Sequence, residues 1–208
     1  VYGADSRYAN ARGDDELLEA LAEGGHQVGA LARRMFPDGI EVSAASVADP
    51  VAETEQRLRA EHVTLFEPTF QHGNLVARVD VLIKRGTAIR LIEVKAKGFD
   101  PARESFQGNG GVVRRDWLPY LCDVAFQSLV LERAHPAWSV TPCLMLLDTA
   151  VPAALDGVGA QFPVARDGTA VRVHVRPGFD AAALDPPLLR VHDVTVEVQA
   201  LRREMLAI

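Results

Sequence analysis

The sequence predicts an α/β fold of the α+β kind, with elements in the order helix, three strands, helix, strand. Three observations carry that prediction. Leu17, Leu18, Leu21, Val28, Leu31, Ala32 and Met35 recur at helical spacing between Asp14 and Met35. Residues alternate on either side of Gly86-Thr87, from Val76 to Lys84 and from Ala88 to Lys97, as the arms of a β-hairpin do. A helical stretch from Asp116 to Arg133 then leads into Val140 to Leu147, an apolar run of the length and kind of a buried strand.

The elements follow in turn. The first helix should stop at Pro37-Asp38-Gly39, and Gly24-Gly25 allows a kink or a close approach within it. Asp49-Pro50 opens a second, more polar helix that runs to about His62. The Asp side chain can cap the free N–H groups, and proline lacks only an N–H that the first turn would leave unpaired. Val63 to Phe70 reads as a strand broken or edged at Pro68. Phe99 to Val113, with Gly108-Asn109-Gly110-Gly111, reads as a long loop. Asp116 is the expected cap of the next helix, with Pro119 in its first turn. From about Ala150 the character changes. Turn signals at Asp156-Gly157 and Asp167-Gly168, alternation over Val171 to Val175, a break at Pro186-Pro187 and a helical pattern from Val194 to Ile208 describe an α/β appendage over 150–208. It is expected to pack on a core of residues 1–149.

The hairpin also carries chemistry. A two-residue loop at Gly86-Thr87 sets Asp80 directly opposite Glu93. Such partners share a face with Cβ atoms about 4.5–5.5 Å apart. Two carboxylates that close can share one hard cation, which takes oxygen ligands. Lys95, two residues beyond Glu93, points to the same side. Glu-x-Lys on a wet strand would only solvate the sheet. Here the same face carries Leu82, Ile89 and Leu91, and the opposite one Val79, Val81, Ile83, Ile92 and Val94, so both faces should be covered. Charges buried between two layers are costly unless paired or bound to metal, which favours a site.

At 208 residues and 48% hydrophobic content the chain fits one soluble domain with a small addition. It has no apolar run near the roughly 20 residues that span a bilayer. No membrane association is expected, and a cytoplasmic location is. Cys122 and Cys143 stand far apart without a C-x-x-C pair, so no iron–sulfur cluster is expected, and both should be buried thiols. The net charge is −6, yet residues 78–115 hold nine Lys/Arg against four acids, which leaves −11 for the remainder. Basic charge gathered around the candidate site can attract phosphate despite an acidic whole.

On these residues the chain resembles the PD-(D/E)XK nucleases, and within them the RecB-like branch, which includes CRISPR-associated RecB-like exonucleases. GNLVARVDVLIK (73–84) is similar to that branch's strand entering the catalytic Asp, and IEVKA (92–96) to its Glu-x-Lys strand. YLCDVAFQSLVLE (120–132) is similar to its following helix, whose Gln is matched by Gln127. The phrase from Asp123 to Gln127 also resembles an uncharacterised bacterial group of the branch. The likeness spans roughly 14–148. The branch often has a Tyr four residues after the Gln, where this chain has Leu131. It often draws a His or Glu from the first helix, for which His26, Glu19 and Glu23 are candidates.

The resemblance implies a restriction-endonuclease-like core with a mixed central sheet, and a divalent-metal-dependent nuclease acting on DNA. Mg²⁺ or Mn²⁺ would be held by Asp80, Glu93 and the carbonyl of Val94, with Glu67 as a further carboxylate near the same face. Lys95 would act on the attacking water and on phosphoryl charge. Gln127, Tyr120 and Asp123 share one helix face and would orient the metal site or the nucleic-acid strand. Arg78, Lys97, Arg114, Arg115 and Tyr120 would contact nucleic acid. Two other classes stay open: a nucleic-acid-binding module of the same fold without turnover, and a protein-interaction domain. Further domains or protein partners are compatible with either.

Overall fold

The computed structural model describes residues 16–42, 48–150, 158–167, 170–181, 184–185 and 187–206. Asp14, the Asp156-Gly157 turn, Gly168, Pro186 and Ile208 lie outside them. The described chain is a mixed α/β structure built on one six-stranded sheet. Its elements are α1 (Glu16–Arg34), β1 (Ile40–Glu41), α2 (Pro50–Arg57), β2 (His62–Phe66), β3 (Thr69–His72), β4 (Leu75–Arg78), β5 (Val81–Arg85) and β6 (Ala88–Phe99). After them come α3 (Leu118–Ala134), β7 (Ser139–Asp148), β8 (Val164–Asp167), β9 (Ala170–Val173), β10 (Leu189–Asp193) and α4 (Thr195–Leu206). The sheet order is β1-β2-β5-β6-β7-β10. The β1–β2 and β6–β7 pairs are parallel and the others antiparallel, so the sheet is mixed. Among the described residues no helix is long and apolar enough to cross a membrane.

The hairpin register is the one its loop chemistry dictates. Val81 faces Ile92, Leu82 faces Leu91 and Arg85 faces Ala88. Gly86 opens the loop at φ 60, and Thr87 is not among the positive-φ residues, the pattern of a type II′ turn. Alternation then sorts the side chains onto two covered faces. Leu82, Ile89 and Leu91 join Leu121, Val124 and Leu131 of α3 and Val198 and Leu201 of α4. Val81 and Ile92 join Leu31 and Ala32 of α1, with Phe162 and Leu184. Val79 departs from the expected face: it is fully buried with the α3 cluster, because the strand does not run through it.

The departures from simple periodicity have local causes. The arm expected from Val76 to Lys84 is two strands. β4 pairs with β3 in a separate ribbon, and the chain crosses into the main sheet at Val79-Asp80. The strand expected over Val63 to Phe70 is likewise divided at Glu67-Pro68. The helix from Pro50 ends at Arg57, and His62 already starts β2; Asp49 caps it as expected, accepting from Val51 N and Ala52 N. Asp116 does not cap α3. Trp117 occupies that position without a side-chain cap bond, and Asp116 bonds Arg114 instead. Between β6 and α3, a short 3₁₀ turn at Asn109–Gly111 and a bridge from Gln107 to Val113 order part of the expected loop. The C-terminal region contributes to the central sheet itself: β10 pairs along β7, and α4 packs on α3. Cys143 is buried, but Cys122 is exposed on α3.

Candidate active site

The two carboxylates meet where the sheet opens. Asp80 lies one residue before β5, and extending the hairpin register sets it opposite Glu93 of β6. Its backbone is fixed from the other side, since Glu67 N donates to Asp80 O at 3.1 Å and Val79 N to Pro68 O at 3.1 Å. Its side chain turns toward β6, where Oδ2 accepts from Val94 N at 2.7 Å. That bond ties the crossing residue to the Glu-x-Lys strand. Glu93 is only 7% exposed. Burial pushes the Asp80 carboxyl up to about 7, and the Glu93 charge adds to the rise. The Val94 amide opposes it, Glu67 raises it further and Lys95 opposes it.

Lys95 comes from a break in the ladder. β6 pairs with β7 as far as Val94 opposite Met145 and resumes at Gly98 opposite Leu147. Residues 95–97 therefore bulge from the sheet, which re-aims their side chains. Glycine suits the closing position, because a Cβ on Gly98 would stand 2.6 Å from Cγ2 of Thr149, which would have to move. Lys95 Nζ lies 2.8 Å from Glu93 Oε1 and 3.4 Å from Asp123 Oδ2. Burial pulls this ammonium's pKa down, but the charge and hydrogen bond of Glu93, then Asp123 and Asp80, outweigh it, and the pKa ends above its ordinary value.

Helix α3 supplies the other grip. Gln127, 8% exposed, donates from Nε2 to Glu93 Oε2 at 2.8 Å. The carboxylate accepts only, so it is the amide nitrogen that faces it. Oε1 of Gln127 is left buried without a hydrogen-bond partner. Asp123, one turn earlier, reaches Lys95, and the Tyr120 ring centroid lies 5.7 Å from Lys95 Nζ. Lys97 is not a free phosphate contact. Its Nζ sits 4.0 Å from the centroid of Trp117 and 5.1 Å from that of Tyr120, and donates to Asp116 O at 2.8 Å.

Glu67 is brought near but is committed elsewhere. It bonds Arg33 Nη2 at 3.0 Å and Arg78 Nε at 2.9 Å, a salt bridge at a strand end. It holds φ 55, the one positive value outside glycine among the described residues, and its charge still acts on Asp80. Arg33 also pairs with Glu41, so α1 and β1 are locked to this corner. Beside it a cavity of about 720 Å³ is lined by Gly29, Arg33, Glu67, Asp80, Val94 and Phe179, among others. His26 is exposed on the same cavity wall, apart from the carboxylates' bonds, and the side chains of Glu19 and Glu23 lie outside the described residues. Arg114 pairs with Asp116 at 3.2 Å, and Arg115 is exposed beside it. Sequence reasoning missed the roles of Arg33 and Trp117. Neither had a signal, since their contacts cross from one element to another. The reach of Asp123 to Lys95 had a faint one, the one-turn spacing from Gln127.

Among the described residues no group of three or more His, Cys, Asp and Glu is placed to hold a metal ion. A small hard cation that keeps most of its water and uses one or two carboxylates suits the pair Asp80 and Glu93, whose crowded negative charge one ammonium only partly offsets. Compared with protein-family models, with curated proteins and with solved structures, the chain matches none.

Proposed function

We propose that this chain is a divalent-metal-dependent nuclease with a PD-(D/E)XK-type core, hydrolysing phosphodiester bonds of DNA. The observation that carries the reading is the Asp80–Glu93–Lys95 corner: two crowded carboxylates, one raised to about 7, with a lysine bridged onto the second. Asp80, Glu93 and the carbonyl of Val94 are the atoms that would hold Mg²⁺ or Mn²⁺. When bound, the ion would supply Lewis acidity toward the phosphate and make water a better nucleophile. The protein's own residues do the rest. Gln127 fixes the plane of the Glu93 carboxylate through Oε2. Val94 N fixes Asp80. Lys95 stands beside the carboxylates, with Nζ 2.8 Å from Glu93 Oε1, where it would meet the attacking water. It would orient that water and offset charge on the pentavalent phosphorus. Arg115, exposed, would meet the phosphate backbone directly, and Arg78 and Arg114 would do so by exchanging Glu67 and Asp116 for phosphate. Glu67 takes the part of an anchor for Arg33 and Arg78.

The test is cleavage of labelled single- and double-stranded DNA, and of RNA, by the purified chain with Mn²⁺ or Mg²⁺ and with chelator. Metal-dependent cleavage lost in Asp80→Ala supports the reading. Salt-sensitive binding in chelator without cleavage in metal would instead assign a binding module of the same fold.

A further inference from the structure

Lys95 is held by contacts at its tip rather than by its backbone. Residues 95–97 lie outside the β6–β7 ladder, so nothing in the sheet dictates where the four-carbon stem points. Two carboxylates do. Nζ bridges Glu93 Oε1 at 2.8 Å and Asp123 Oδ2 at 3.4 Å, with the Tyr120 ring on a third side. Both Glu93 oxygens are engaged, Oε1 by Lys95 and Oε2 by Gln127. A cation taken up by Glu93 would compete with Lys95 for Oε1 and repel it.

We propose that Asp123 is a positioning residue that keeps Lys95 at the rim of the site once a divalent cation displaces it from Glu93. This rests on the nuclease reading above and deepens it. The argument is geometric. Asp123 is one helical turn before Gln127, so one face of α3 grips both halves of the Glu93–Lys95 pair. With its side chain 56% exposed it stands on the solvent side, where the ammonium would otherwise swing out. The ammonium is already in contact with it, so displacement becomes a short shift between partners. The opposing reading, an exposed ion pair without consequence, is the ordinary fate of such contacts, and the two separate cleanly.

The experiment uses the full chain with Asp123→Asn and Asp123→Glu, each in the wild-type and the Lys95→Ala background. Cleavage of a single-stranded oligonucleotide is followed with Mn²⁺. Asp123→Asn should lower kcat by roughly 10- to 100-fold at unchanged KM, as loss of a near-reactive geometry does. Asp123→Glu should recover most of the loss. In the Lys95→Ala background Asp123→Asn should add nothing. A wild-type kcat, or an equal loss in both backgrounds, overturns the proposal. A second readout needs no cleavage: acylation of Lys95 by an amine-directed reagent, followed by mass spectrometry, with and without Mg²⁺. Mg²⁺ should leave Lys95 shielded in the wild type and expose it in Asp123→Asn. The same Mg²⁺ response in both proteins overturns the proposal. If no nucleic acid is cleaved the nuclease reading fails, and the labelling result still decides the role of Asp123.

Discussion

The β5–β6 hairpin buries charge at both ends, and the two ends treat it in opposite ways. Near the turn, Lys84 is 8% exposed on the α3-side face. Its Nζ donates to Ala60 O at 2.7 Å and lies 3.5 Å from Glu61 O, in the segment that follows α2, and Gly86 N donates to Glu61 O at 2.8 Å. The charge is answered by backbone oxygens, and in that electrostatic sense the end is closed. At the open end, Asp80 and Glu93 crowd each other around one ammonium, the ladder bulges, and Asp80 keeps its proton up to about 7. One end spends a buried cation on holding α2 to the sheet. The other leaves one carboxyl without a cationic partner of its own, and it stays protonated until about pH 7 for want of one.

The largest effect should fall on the open end. Asp80→Ala or Glu93→Ala should abolish Mn²⁺ binding in calorimetric titration and lower cleavage by about 10²- to 10³-fold, the scale on which removal of a charge-stabilising group acts. The folds should respond differently. Asp80→Ala relieves repulsion, whereas Glu93→Ala strands Lys95 and Gln127, so the apo melting temperature should hold or rise in the first and fall in the second. Equal Mn²⁺ affinity in wild type and both variants would remove the site and the comparison with it.

Next comes the closed end. Lys84→Ala deletes buried methylenes and leaves Ala60 O without its donor. Urea denaturation should show a loss of about 2–3 kcal/mol, while the folded protein keeps its cleavage rate. A drop in kcat without a drop in stability would show that the two ends are not independent.

Smaller again is the pH dependence of the apo protein. The carboxyl of Asp80 sits above its unfolded value, so between roughly pH 4 and pH 7 the folded state holds a proton that the unfolded state has released. The contribution is present at low pH, declines as pH rises through that window, and is gone above about 7. Asp80→Asn keeps an acceptor for Val94 N and has no proton to lose. The full rise would correspond to about 4 kcal/mol. Solvent at this half-buried carboxyl screens it to about 1–2 kcal/mol, the margin by which the variant should exceed wild type at pH 8 without metal, with the gap closing toward pH 5. A constant gap across the range would mean that Asp80 is not the titrating group.

The contrast between the ends also marks what the sequence could convey. Loop chemistry at Gly86-Thr87 made the register legible, and with it the pairing of Asp80 with Glu93, because a two-residue turn leaves no freedom in which residues face each other. The helix start at Asp49-Pro50 was legible for the same reason, a local bond between neighbours. The mixed α/β character was readable from period and turn signals. What could not be read depends on contacts between distant segments. Val79 changes faces because the chain leaves one ribbon for another at Asp80. Glu67 is paired with Arg33, 34 positions away, a partner that nothing near it in the chain announces. Lys97 alternates like a phosphate-facing residue but is caged by Trp117 across the loop. β10 joins the main sheet through a pairing with β7 that no neighbouring residue announces.

The smallest effect concerns the loop cations, and here the ion pair changes the arithmetic. Each cation that neutralises a DNA phosphate contributes about 0.9 to the slope of log affinity against log salt on duplex, or about 0.7 on single strands. Two free arginines would together contribute nearly 2. Arg114, however, already lies 3.2 Å from Asp116, whose carboxyl pKa is held down first by that hydrogen bond. Binding phosphate would exchange one anionic partner for another, with little net release of counterions. Arg115 is exposed beside it. Arg115→Ala should therefore flatten the slope by about one phosphate's worth, and Arg114→Ala by distinctly less. Asp116→Asn frees Arg114 and should steepen the slope, tightening binding at low salt. Fluorescence-anisotropy titrations at four or five salt concentrations, in chelator so that no cleavage intervenes, measure all three. Equal slopes for Arg114→Ala and Arg115→Ala would show that the Arg114–Asp116 pair opens freely on binding, and the loop would then count as two phosphate contacts rather than one.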